Sequence, residues 1–269
     1  METSFPISHL RRRRIWLLFL SLLCWFLPRI APGQNPPRTV HVFVALADNK
    51  NQGIVPVPAK LGNGEDAEAN LYWGSAYGIK TFFVRSRDWK LLASLKNPKP
   101  EVLERCILKH RRQNVYFVAD AYRGIQIKHA IVDFLEAAAG GNAEQVLAGA
   151  GSVRAGGNAD LLVYVGHEGL MDFQLTTLPQ SKNNLSRKAI ILACLSKSYF
   201  VAPLRAAGAY PLLWTTGLMA PEAYTLKSAL DGWMVNESDQ QIRQRAAAAY
   251  DQYQKCGLNA ARRLFATGW

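Results

Sequence analysis

The chain has 269 residues, of which 49% are hydrophobic and 19% charged, with a formal net charge of +12. That is enough apolar material to bury a large core in one sizeable domain or two small ones, and no internal repeat or low-complexity tract interrupts it. The basic clusters at Lys109 to Arg112 and Arg262-Arg263 lack the interleaved aromatics and fold motifs of a nucleic-acid binder, so they read as a solvated basic face.

Arg11 to Arg14 form a positive block, and residues 15–27 follow as an uncharged apolar run of 13. A membrane span needs about 20 residues, so this run has the length of a signal-peptide core. Ala31-Pro32-Gly33 supplies small residues for cleavage before Gln34. The expectation is a signal peptide over 1–33, with an uncleaved membrane anchor as its competitor. The protein would then be exported, periplasmic or extracellular, or else associated with a membrane through this segment. Ser21-Leu22-Leu23-Cys24 lacks the small residue that precedes a lipidated cysteine, and Arg12 to Leu17 only partly fits a twin-arginine signal. Without residues 1–33 the basic and acidic side chains number 27 and 19, so the net charge falls to +8. Cys106, Cys194 and Cys256 remain, an odd number that leaves at least one thiol unpaired in an oxidising compartment.

Residues 34–269 read as one domain of alternating strands and helices. Thr39 to Ala47 is the first strong strand, followed by a loop that Pro56, Pro58, Gly62 and Gly64 keep irregular. Glu65 to Thr81 and Glu101 to His110 are expected as helices, and Asn114 to Ala119 as a strand. Ile127, Ile131, Phe134 and Leu135 recur at helical spacing until Gly140-Gly141. Leu161 to Val165 and Ala189 to Leu192 are continuous aliphatic runs, the mark of strands covered on both faces. Ser198 to Ala207 is expected helical, Pro211 to Thr216 a strand, and Ala223 to Met234 and Ser238 to Phe265 two closing helices. The fold expected is an α/β layer with a mostly parallel sheet.

Each expected strand runs into something polar: Asp48, Asp120, His167, Cys194 and Thr215-Thr216 in turn. Parallel strands carry such ends to one edge, where ligands bind. A lone cysteine at a strand end is usually a small buried hydrophobe, and His41 and His129 read as ordinary surface or core polar groups. An imidazole beside a thiol is a different matter. Cysteine attacks a carbonyl as the thiolate and needs a neighbouring base, and imidazole later protonates the leaving amine. Backbone amides near His167 and at Cys194 would receive the developing oxyanion. His167, Glu168 and Asp172 do not share a face at i, i+1 and i+5, so no metal site is expected. The aromatics Tyr72, Trp73, Tyr77, Phe82 and Phe83 read as core.

Gly166-His167-x-Gly169 after one apolar block, and Ala193-Cys194 after the next, 27 residues on from the histidine, resemble the caspase–gingipain–legumain superfamily of cysteine peptidases, and its gingipain-like branch in style. The motif likeness covers residues 160–196. It implies a three-layer caspase-like sandwich and a peptide or protein substrate cleaved through an acyl-enzyme, with no cofactor. Cys194 would be the nucleophile and His167 the base and acid, with an oxyanion hole at the amides of Glu168 or Gly169 and of Cys194. In relatives that cleave after basic residues an acidic side chain lines the primary pocket, which makes Asp48 and Asp120 the candidates for binding substrate. The family has glycine directly after the histidine where this chain has Glu168, whose carboxylate could orient His167, repel an acidic substrate or mark a site no longer used. With Cys194 as nucleophile, Cys106 and Cys256 are the pair left for a disulfide. A catalytically inactive caspase-like scaffold, or a hydrolase of another amide or ester, are the alternative functions.

Overall fold

Three strands carry almost nothing but side chains suited to burial on both faces, and the sheet grows around them. The structure is a computed structural model describing residues 1–2, 36–149, 151–183 and 185–269. The expected signal or anchor segment therefore lies outside the described residues, apart from Met1 and Glu2. Among the described residues no helix is long and apolar enough to cross a membrane.

Residues 37–269 form one unit. Its strands are β1 (Arg38–Ala45), β2 (Trp89–Lys99), β3 (Val102–His110), β4 (Val115–Tyr122), β5 (Glu144–Ala148), β6 (Gly151–Ala155), β7 (Leu161–Val165), β8 (Lys188–Leu192), β9 (Tyr210–Thr215) and β10 (Phe265–Ala266). Its helices are α1 (Ile79–Arg85), α2 (Ile127–Ala138), α3 (Ser196–Ala207), α4 (Ala223–Met234), α5 (Asp239–Gln254) and α6 (Leu258–Leu264). Eight strands make one sheet in the order β10-β9-β8-β7-β1-β4-β3-β2, and β5 and β6 pair separately. The five strands β4, β1, β7, β8 and β9 run parallel, while at the margins β3 pairs antiparallel with β4, β2 with β3, and β10 with β9.

Side chains alternate between the two faces along each strand. On β1, Val40, Val42 and Val44 enter one core with α1, α4, α5 and α6. Phe43 and Ala45 enter the other, with α2 and α3. The result is a three-layer α/β sandwich, as the strand pattern requires. The β5–β6 ribbon covers Ile107 and Val118 through Val146 and Val153.

Several expected elements differ. β3 (Val102–His110) takes the place of the helix expected over 101–110, because Glu104 and Arg105 are buried and paired instead of solvated. Glu104 accepts the Trp73 indole N–H (2.9 Å) and the Ser94 hydroxyl (2.5 Å) and pairs with Lys80 (2.7 Å). Burial alone would raise its carboxyl, but those partners hold it down at about 2. The stretch 65–81 is mostly turns, and the helix there begins only at Ile79. The last expected helix breaks into α5 and α6 where Lys255 and Gly257 take φ of 54° and 85°. Asp120 falls within β4, not beyond it. Cys106 is buried on β3 and Cys256 is exposed, and both thiols are free, so the pair that the sequence left open for a disulfide is not bonded.

Candidate active site

Parallel pairing carries the two reactive residues to adjacent positions. Val165 of β7 pairs with Leu192 of β8, and His167 and Cys194 each follow two residues later. Both line one cavity of about 330 Å³ at the carboxyl ends of the strands. The loop after β1 contributes Ile54, Val55, Val57, Leu71 and Tyr72, and the segment 218–222 after β9 closes the other side. Four strand-end loops thus converge where a parallel sheet binds its ligands.

The turn after β7 is built to hold the imidazole. Gly166 has φ of 154°, and a Cβ there would meet the Ala45 carbonyl oxygen at 2.9 Å, so a side chain is excluded on both counts. The buried Tyr164 hydroxyl donates to the His167 carbonyl at 2.7 Å, and the Gly169 amide donates to the same oxygen at 3.0 Å. On the ring, Nε2 meets Asp172 Oδ2 at 2.8 Å. Asp172 Oδ2 also accepts the Gly53 amide at 2.9 Å, which ties the loop after β1 to the partner of His167. Nδ1 has no partner among the described residues, and it is the nitrogen left for a thiol proton.

Cys194 sits on an equally determined turn. Leu195, with φ of 52°, swings the chain from β8 into α3. Behind it, Ser196 and Thr215 are wholly buried and exchange hydrogen bonds: the Thr215 amide donates to Ser196 Oγ at 2.9 Å and the Ser196 amide to Thr215 Oγ1 at 3.2 Å. The polar end of β9 is thus a structural knot. Cys194 Sγ lies 3.4 Å from the Met219 amide and 3.6 Å from its carbonyl. That amide remains a donor to the sulfur once its proton has left.

For an oxyanion, the Gly169 amide is spent on the His167 carbonyl, whereas the amides of Glu168 and Cys194 donate to no acceptor among the described residues. Glu168 does not line the cavity. Its carboxyl is fully buried, accepts the Leu170 amide at 3.3 Å through Oε1 and leaves Oε2 without a partner. Burial, with a smaller contribution from the charge of Asp172, pushes it up from 4.5 to about 8, so at neutral pH it is a protonated cap of the short Gly169–Met171 turn. Asp172, not Glu168, orients the histidine.

The two other candidate carboxylates stand elsewhere. Asp48 folds its own loop by accepting the amides of Lys50 (2.9 Å) and Asn51 (3.2 Å). Asp120 is sealed against Arg105 by two bonds of 2.6 Å and meets His41 Nε2 at 3.2 Å. Burial opposes its charge, but these partners hold its carboxyl well below the usual range. His41, Asp120 and Glu144 are close enough together to hold a cation, but the Arg105 guanidinium bonds both carboxylates and takes that position. Neither Asp48 nor Asp120 lines the cavity.

Among the described residues, Glu222 is the one acidic side chain that does line it. Its Oε2 accepts the Tyr224 hydroxyl (2.7 Å) and the Gln254 amide (3.0 Å). Tyr72, expected as core, also faces the cavity. Burial and the nearby charges of Cys194 and Glu222 push its phenol up, which keeps it a neutral O–H donor. Asp172 and Tyr72 were the residues sequence reasoning missed. Only the position of Asp172, in the same loop as His167, was a usable signal. No protein-family model, curated protein or solved structure matches the chain.

Proposed function

We propose that the protein is an exported cysteine peptidase of the caspase–gingipain–legumain type, working through Cys194, His167 and Asp172. The observation that carries this reading is a thiol and an Asp-oriented imidazole on the ends of adjacent parallel strands, lining one cavity. His167 Nδ1 takes the Cys194 proton as sulfur attacks the substrate carbonyl, and the C–S bond forms. The carbonyl oxygen becomes the oxyanion, received by the amide of Cys194. The imidazolium, steadied by Asp172, gives its proton to the departing amine as the C–N bond breaks. Water deprotonated by His167 then attacks the thioester, releasing the acid and restoring the thiol. None of these steps calls for a cofactor.

A non-catalytic scaffold of the same fold is the competing reading. Iodoacetamide labelling separates them. In the peptidase, Cys194 of the full chain alkylates at neutral pH markedly faster than in His167→Ala, and Cys194→Ala removes all peptide turnover. Equal labelling rates in the two proteins favour the scaffold.

A further inference from the structure

Away from Cys194, His167, Tyr72 and Glu222, the cavity offers substrate an apolar wall, and that wall continues outward onto exposed side chains. Val55 is 86% exposed and Leu218 73%, and both flank the opening. Folding does not require these side chains to face water. Exposed apolar groups gathered around a concave reactive site mark contact with a partner that buries them. The volume, about 330 Å³, is roughly twice that of the ~150 Å³ cavity that accommodates benzene, so an aromatic or branched aliphatic side chain fits with room to spare.

The position of the sulfur says which substrate residue enters. The attacked carbonyl must reach Sγ, and the side chain of the residue bearing it is only two bonds from that carbon. It therefore packs on the wall that touches the sulfur. That wall is Met219, with backbone atoms 3.4 and 3.6 Å from Sγ, flanked in the chain by Leu218 and Ala220, and Leu71 lines the same cavity. An incoming cation would find few partners: Asp48 and Asp120 lie outside the cavity, and Glu222 Oε2 is already held by Tyr224 and Gln254.

Resting on the peptidase reading above, we infer that the substrate is a polypeptide with a large apolar residue, such as Leu, Met or Phe, on the acyl side of the scissile bond. That residue seats against Leu71 and the 218–220 segment.

The test uses the full chain and a set of fluorogenic peptides differing only at the acyl-side residue: Phe, Leu, Gly, Lys, Arg and Asp. Cleavage abolished by Cys194→Ala is expected to favour Phe and Leu over Lys and Asp by about tenfold to hundredfold in kcat/KM. Leu218→Glu, at an exposed position that folding tolerates, should reduce that preference and raise the relative turnover of the Lys peptide. Cys194-dependent cleavage that prefers Lys, Arg or Asp, or that ignores this residue, overturns the inference and leaves the dyad standing. Uncut peptides with His167-dependent alkylation of Cys194 likewise overturn the inference alone. Uncut peptides with alkylation indifferent to His167 overturn the dyad and the inference together.

Discussion

Two buried histidines in this molecule each meet an aspartate, and they do opposite things. His41 lies 3.2 Å from Asp120, and His167 lies 2.8 Å from Asp172. Around His41 every valence is used: Nδ1 accepts the Gly156 amide at 2.9 Å, and Arg105 closes over Asp120. Around His167 one ring nitrogen has no partner among the described residues, and a thiol shares its cavity. The buried carboxyls of the two regions differ as well. Asp120 is charged because Arg105 accompanies it, whereas Glu168 has no cation and keeps its proton. A histidine–carboxylate pair is therefore not a site by itself. What makes one is the valence left open toward a space that another molecule can enter.

Exchanging the roles of the two histidine pairs is not possible if this comparison holds. His167→Ala should lower turnover by about 10²–10⁴-fold, the usual contribution of general acid–base catalysis, and leave the melting temperature nearly unchanged. Asp120→Ala should instead leave the buried Arg105 with Glu144 as its remaining carboxylate, costing about 3–5 kcal/mol of stability by denaturant melting. A variant pair that showed the reverse would erase the distinction.

The buried carboxyls sharpen it through pH. The folded chain keeps the Glu168 proton that the unfolded chain releases above about 4.5. The stability this contributes is complete below about 4.5, declines as pH rises toward the folded value of about 8, and is flat beyond it. The slope is on the order of 1.4 kcal/mol per pH unit for one proton. Glu168→Gln should flatten that decline, and urea melts at pH 5, 6.5 and 8 are the measurement. An unchanged slope would mean the group is not neutral in the fold.

The smallest effect is expected at Asp48. Asp48→Asn should cost only about 1 kcal/mol through weakened loop bonds, with the residue preference in a peptide-library digest unaltered. A shift away from any one residue class would return Asp48 to the substrate pocket.

Much of this was legible in the residues. The runs at 161–165 and 189–192 name their strands because β-branched and aliphatic side chains can be buried on both faces without polar cost. The hairpin of β2 and β3 was not legible, since Glu104 and Arg105 imitate a solvated helix face until Lys80 and Asp120 arrive from other elements. The pairing of Asp120 was hidden for the same reason: a carboxylate near a strand end advertises nothing about a guanidinium waiting on the neighbouring strand.

By itself, then, the chain determined the layered α/β arrangement and the delivery of His167 and Cys194 to strand ends, because hydrophobic continuity and glycine turns are local and act through the nearest residues. Tertiary structure alone decided which nitrogen of His167 is free, that Met219 holds the sulfur, and that Tyr72 and Leu218 rather than Asp48 and Asp120 line the cavity. Those outcomes depend on hydrogen bonds and packing between loops after different strands. Such partners meet only once the sheet has set the strands side by side.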